Sequence, residues 1–212
     1  MAHVLSLNVL HAEVPDVGGS VGITAIDKRP VVDRRGVTSA GVAGDKRSDE
    51  KHHGHTDQAV YAYGLEDYEW WSEQLGRQLG AGIFGENLTT IGIDWNAITV
   101  GTVVRIGTSE LQVSRPRIPC GTFQRWLDEE HWVKRFNDSG RWGSYLRVLT
   151  AGDLGAGDEI VILSTPEHGV SILDLARVHT GERILDQLNR VRDCEDTPDS
   201  IREKAVTALA NM

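Results

Sequence analysis

Between residues 4 and 163 the chain is cut into short runs of β-branched or alternating residues, most of them ending at a glycine or a polar turn. Eight runs read as strands: Val4–Val9, Val21–Ile26, Gly36–Val42, Ala59–Tyr63, Ile98–Ile106, Glu110–Ser114, Tyr145–Leu149 and Glu159–Leu163. Ile106-Gly-Thr-Ser-Glu110 has the composition of a hairpin turn, and Ala151-Gly-Asp-Leu-Gly-Ala-Gly-Asp158 that of a glycine-rich connection. Many short strands with few helices between them favour a sheet that folds over or closes on itself. Two helical segments interrupt the pattern. Tyr68, Trp71, Ser72 and Leu75 share a face within 65–79, and Phe123, Trp126, Leu127, Trp132, Val133 and Phe136 mark a stretch over 122–137. Their tryptophans read as core anchors rather than cofactor platforms.

From about His168 the strand signal stops. Ser171-Ile-Leu-Asp174 resembles a capping box, 183–192 repeats an apolar stripe, and Thr197-Pro198 has an N-cap followed by proline at the first helical position. The expectation is a mainly β (α+β) domain over 1–165 and a three-helix subdomain over 166–212. That subdomain is too small to stand alone, so it should pack on the β domain or on a partner subunit.

Composition narrows the function. With 40% hydrophobic and 25% charged residues the chain has a globular balance, and its formal charge of −9 disfavours a nucleic-acid or anionic-membrane surface. No apolar run approaches the ~20 residues of a membrane span, and the N-terminus lacks the pattern of a secretory signal. Two cysteines, Cys120 and Cys194, cannot build a disulfide scaffold, so a cytoplasmic location is expected. The charge is unevenly spread: 102–147 carries 8 basic and 5 acidic residues, whereas 61–101 carries 1 and 6. Cys120 lies in the positive stretch with Arg115, Arg117 and Arg125 close in sequence, a setting that favours a thiolate. Cys194, followed by Glu195 and Asp196, reads as a bystander.

Three segments carry residues suited to chemistry. In Ser114-Arg-Pro-Arg-Ile-Pro-Cys120-Gly121 two prolines hold the chain extended and display the thiol at a strand's end, as a nucleophile or metal ligand requires. No Cys-x-x-Cys accompanies it, so a metal there would have to arrive inside a cofactor bringing its other ligands. His53-Gly-His55-Thr-Asp57 matches the H-x-H-x-D ligand run of zinc hydrolases, although Gln58 stands where a further histidine normally follows. A polar loop is the plain alternative. Ile83-Phe-Gly-Glu86-Asn87-Leu-Thr89 reads as a tight turn before a strand.

Taken in order, Thr24-Ala-Ile-Asp-Lys28-Arg29-Pro30-Val31, Gly44-Asp45, His52-His53-Gly54, Asp57-Gln-Ala-Val-Tyr-Ala-Tyr63, Phe84-Gly-Glu-Asn-Leu-Thr89 and Arg115-Pro-Arg-Ile-Pro-Cys120 resemble the MOSC domain, the molybdenum-cofactor-sulfurase C-terminal-like family, and within it the YiiM-type branch. The resemblance covers about residues 1–165, and a three-helix tail is also a feature of that branch. It implies a β-barrel holding the molybdenum cofactor (Mo-pyranopterin), with Cys120 as the metal ligand and catalytic residue. It further implies that Lys28 and Arg117 meet the pterin phosphate, and that His53, Asp57, Glu86 and Asn87 shape the pocket wall. A family-level association with pyridoxal phosphate also attaches to it. The activity implied is reduction of a small N-hydroxylated base or related N–O compound, the metal cycling between Mo(IV) and Mo(VI). No nicotinamide or flavin fingerprint is present, so electrons would come from a separate reductase. The assembly state is open, with a homodimer among the options. Two rivals stand beside this reading: a cofactor or sulfur carrier using Cys120, and a zinc hydrolase at His53, His55 and Asp57. His55 stands where the family commonly has a second glycine, and Gly121-Thr-Phe differs from the bulkier or basic residues of some members, which leaves substrate specificity open.

Overall fold

The fold is seen in a computed structural model that describes residues 1–46, 56–182 and 184–210. Its longest strand, β1 (His3–Pro15), turns at Asp16–Gly22 into β2 (Ile23–Val31), and bulges near Leu10 and Ala12 bend this hairpin. Two short strands follow, β3 (Arg35–Thr38) and β4 (Gly41–Val42), then a 3-10 turn at Thr56–Gln58 and β5 (Val60–Gly64). Helix α1 (Leu65–Leu75) carries the chain from β5 to β6 (Leu88–Ile91), the crossover that a parallel pair needs. Every other ladder is antiparallel. β7 (Val103–Ile106), β8 (Ser109–Pro116), helices α2 (Gly121–Leu127) and α3 (Trp132–Ser139), β9 (Ser144–Thr150), β10 (Gly152–Leu154) and β11 (Ile160–Ser164) complete the β part. The main sheet has eight strands in the order β11-β7-β8-β9-β5-β6-β1-β2, and β10-β3-β4 form a smaller one.

The mainly β expectation holds, with one correction: the main sheet is curled and not closed by a strand ladder. β2 occupies β1 from Leu7 to Pro15, so only the first residues of β1 remain for the seam. There Val4 donates to the Asp158 carbonyl (2.9 Å), Gly157 to Val4 (2.8 Å) and Ile160 to Ala2 (2.9 Å). Two other boundaries move. Only Val103–Ile106 of the run 98–106 is strand, because Gly101 turns at φ +88° with Asp196 and Pro166 packed against it. The helical stretch 122–137 is two helices, broken where Asp128 and His131 both take left-handed φ values.

Two clusters form the interior. One fills the curled sheet with Val4, Leu7, Val60, Leu88, Val104, Leu111, Val113 and Leu146. The other is aromatic and lies between sheet and helices: Phe84 stacks on Trp132 (centroids 6.0 Å apart, 6° between planes), and Trp71 meets Trp132 at 4.4 Å. Trp71 and Trp132 are core anchors, as their spacing predicts, while Trp126 is only partly buried against the same cluster. Helices α4 (Ile172–His179), α5 (Leu185–Asp193) and α6 (Asp199–Ala210) bury Ile172, Leu188, Val191, Ile201 and Ala205 in the same cluster as the sheet. Each large apolar side chain so buried contributes roughly 1.5–3 kcal/mol, which is why the three helices pack on the β part. The capping box forms: Asp174 N–H donates to Ser171 Oγ (3.1 Å) and Ser171 N–H to Asp174 Oδ2 (2.9 Å). Thr197 does not cap α6. Its hydroxyl is buried without a partner, and the Pro198 carbonyl takes the first helical bond, from Arg202.

Candidate active site

The two prolines act as their spacing predicts. β8 ends at Pro116, and Cys120 sits in extended backbone (φ −136°, ψ 170°) immediately before α2. Its side chain makes no capping bond, and the thiol is half-buried on the wall of a cavity of about 140 Å³. Arg117, Lys28, Asn87, Tyr61 and Tyr145 line the same cavity. The tip of the β1–β2 hairpin forms its rim, through Asp16, Ser20 and Val21.

The arginines around Cys120 in sequence diverge in space. Arg125 is held on the hairpin by Asp16, with Nε–Oδ1 at 2.6 Å and Nη2–Oδ2 at 3.0 Å, while Thr122 donates to the same carboxylate (2.7 Å). This pairing spans 109 residues, and no spacing in the sequence reveals it. The Arg125 hydrogen bonds hold the Asp16 carboxyl below the usual carboxylate range. A depressed carboxyl stabilises the folded form above its unfolded pKa and loses that contribution as pH falls through the folded one. The clasp therefore persists at neutral pH and loosens as pH falls below the ordinary carboxylate range. Because Asp16 neutralises it, Arg125 gives the thiol less net positive field than the sequence suggests.

Arg117 behaves differently. It is buried (7% exposed), its Nη1 donates to the Ile118 carbonyl (3.3 Å), and its guanidinium lies 3.8 Å from the centroid of Phe123. Among the described residues no carboxylate lies within ion-pair distance of it. Desolvating a cation is costly unless an anion or strong acceptor compensates, and this cation faces the cavity that holds Cys120. Lys28 is already engaged: it forms an ion pair with Asp45, whose carboxylate also accepts from Asn87 Nδ2 (2.8 Å) and Leu10 N–H (3.1 Å). Lys28, Asp45 and Asn87 form one polar edge of the cavity.

The structure does not bring Glu86 or Asp57 to the lining of this cavity. Glu86 is completely buried beneath it, where its Oε1 accepts from Tyr68 (2.6 Å), Thr89 (2.6 Å), Gly82 N–H (2.6 Å) and Asn8 (3.4 Å). Burial pushes its pKa up against those donors. It ties β1, α1 and the 82–89 turn together. Gly82 makes that turn possible: at φ +89° its missing side chain leaves room for the Lys28 carbonyl, which a Cβ would approach to 2.2 Å. Gly82→Ala should therefore destabilise by roughly 2–4 kcal/mol, from a left-handed alanine and overpacking together, read as a shifted urea midpoint.

Asp57 lies behind the wall and faces the C-terminal helices. Arg115 Nη2 is 3.6 Å from its Oδ2 and Arg147 Nη1 3.7 Å from its Oδ1, and Ser200 donates to it from the start of α6. Removing one partner of a buried pair costs about 3–5 kcal/mol. Asp57→Ala should loosen α6 first, seen as faster amide exchange over 199–210 than over β5. His53 and His55 lie outside the described residues. Asp57, the carboxylate of the H-x-H-x-D run, faces two guanidinium groups. Residues that sequence reasoning does not single out for the cavity are Asp16, Asp45, Tyr61 and Tyr145. Asp45 and Tyr61 stand inside motifs already quoted; Asp16 and Tyr145 have no local signal.

Among the described residues no helix is long and apolar enough to cross a membrane. A family model for the MOSC domain matches residues 49–161. The YflK protein of Bacillus subtilis (strain 168) is 34% identical over 176 residues, 83% of this chain and 80% of its own length. A protein named "Reductase" from Gibberella moniliformis is 30% identical over 165 residues, 76% of this chain but 29% of its own length. The crystal structure of YiiM from Geobacillus stearothermophilus superposes with a TM-score of 0.80 at 27% identity, covering 99% of this chain and 100% of that one. On these matches the chain belongs to the MOSC domain family, in its YiiM-type branch.

Proposed function

We propose that the chain binds the molybdenum cofactor through Cys120 and reduces N-hydroxylated bases or related N-oxygenated compounds. The observation that carries this reading is the pairing, in one cavity, of a half-buried thiol with a buried guanidinium that has no carboxylate partner among the described residues. The residues fit the group: a thiolate is a soft metal ligand, and an arginine fork suits the anionic oxygens of a pterin phosphate. The enclosed volume of about 140 Å³ is below the ~300 Å³ typical of a pocket that buries a whole drug-sized ligand, so the fit is to the metal-bearing end. The MOSC family and the reductase-named relative support an oxidoreductase at the coarser level.

When bound, the cofactor supplies two-electron oxygen-atom transfer; the protein supplies orientation and electrostatics. Cys120 would hold the metal end from its extended position immediately before α2. Arg117 offsets anionic charge in the cavity. The Asp16–Arg125 clasp would hold the hairpin tip at the edge of the cavity. In the net reaction an N–OH bond breaks, two electrons and two protons are consumed, and an amine and water leave. The electrons come from a separate reductase, or in vitro from a chemical donor. Protein from a host that makes the cofactor should reduce 6-hydroxylaminopurine to adenine with reduced viologen. Cofactor binding without any reduction would favour the carrier reading; zinc in place of molybdenum would favour the hydrolase.

A further inference from the structure

A second cavity, of about 360 Å³, lies where β8 meets helices α4, α5 and α6. It falls in the size range of small-molecule sites. Most of its wall is apolar, including Pro116, Ile118, Leu175, Val178, Leu188 and Ala208. The cationic side chains are Arg115, on the sheet side, and Lys204, on α6. The Arg115 side chain is only 15% exposed, and its Nε is buried without a hydrogen-bond partner. The nearest acid, Asp57, is already shared between Arg115 and Arg147. Partial burial, with Arg115 beside it, holds the Lys204 ammonium below the ordinary lysine range, and Asp57 offsets this only in part.

We propose that this cavity binds an amphiphilic organic monoanion, an apolar body ending in a carboxylate that meets Arg115 and Lys204. One negative charge offsets part of the positive excess that Asp57 leaves, and the Arg115 guanidinium with the Lys204 ammonium supplies donors that a carboxylate accepts. The apolar wall takes the hydrocarbon. The site does not depend on the molybdenum reading, because no residue of it needs a cofactor in the neighbouring cavity. Gln58 and Tyr145 line both cavities, so a ligand here would lie across them from Cys120.

Isothermal titration of the full chain with octanoate, and with octanamide as the uncharged control, tests it. Octanoate should bind saturably at one site per chain, and octanamide about tenfold or more weaker. Lys204→Gln, at a solvent-open position of α6, should weaken octanoate by a similar factor without lowering the melting temperature. Ala208→Phe, which fills the cavity, should abolish binding. Equal affinity for acid and amide, no saturable binding, or binding that survives Ala208→Phe would overturn the proposal.

Discussion

Replacing Glu86 with alanine is expected to cost the protein more stability than any change at the surface, lowering its melting temperature by roughly 10 °C or more. The carboxylate oxygen accepts three hydrogen bonds of 2.6 Å, from Tyr68, Thr89 and Gly82, in a site with no solvent contact. Truncation leaves those donors buried and unpaired, at about 1–3 kcal/mol each. The sum is a large share of the 5–15 kcal/mol that holds a typical domain together. At this chain length each kcal/mol shifts the melting temperature by about 2–4 °C. Glu86→Gln retains an acceptor for the same donors and should lose much less. Thermal unfolding followed by circular dichroism checks the order: wild type, then Gln, then Ala. Equal losses for Gln and Ala would show that the negative charge, and not the acceptor, is what the site requires.

The second large effect falls on chemistry and leaves stability almost untouched. Cys120 is half-buried, its thiol caps nothing, and it touches the aromatic cluster only from the edge. Cys120→Ala should therefore move the melting temperature by no more than a degree or two. Reduction of the N-hydroxylated substrate should nonetheless fall to the level without protein. Cys194→Ala, at the end of α5, should change neither quantity. Full turnover by the Cys120→Ala protein would remove the thiol from the mechanism.

Much of this was legible in the sequence, for local reasons. Proline and glycine act within a few residues, so the presentation of Cys120 and the capping box at Ser171 follow from the chain itself. Helical spacing likewise identifies Trp71 and Trp132 as core. What escaped depends on the tertiary arrangement. Residues 88–91 are too short to declare themselves apart from the preceding turn, and they become a strand only by pairing with β1 and β5. The break at Asp128 needs left-handed non-glycine residues, which composition does not announce. The polarity of the site shifted most. Three arginines near Cys120 in sequence imply one positive field, but the fold sends Arg115 to Asp57 and Arg125 to Asp16, and leaves Arg117 facing the cavity. Asp57 is a buried acid whose arginine partners are distant in sequence, and Glu86 joins its neighbours Gly82 and Thr89 to the distant Tyr68 and Asn8, so neither role in tying the structure together is visible before folding.

The account rests on a thiol-bound molybdenum cofactor in the Cys120 cavity. Its most direct test is the metal and pterin content of the full chain, purified from a host that makes molybdenum cofactor and measured beside Cys120→Ala. The account predicts molybdenum and pterin in equal, near-stoichiometric amounts in the wild-type protein and neither in the variant. Molybdenum and pterin absent from both, or present equally in both, would contradict it.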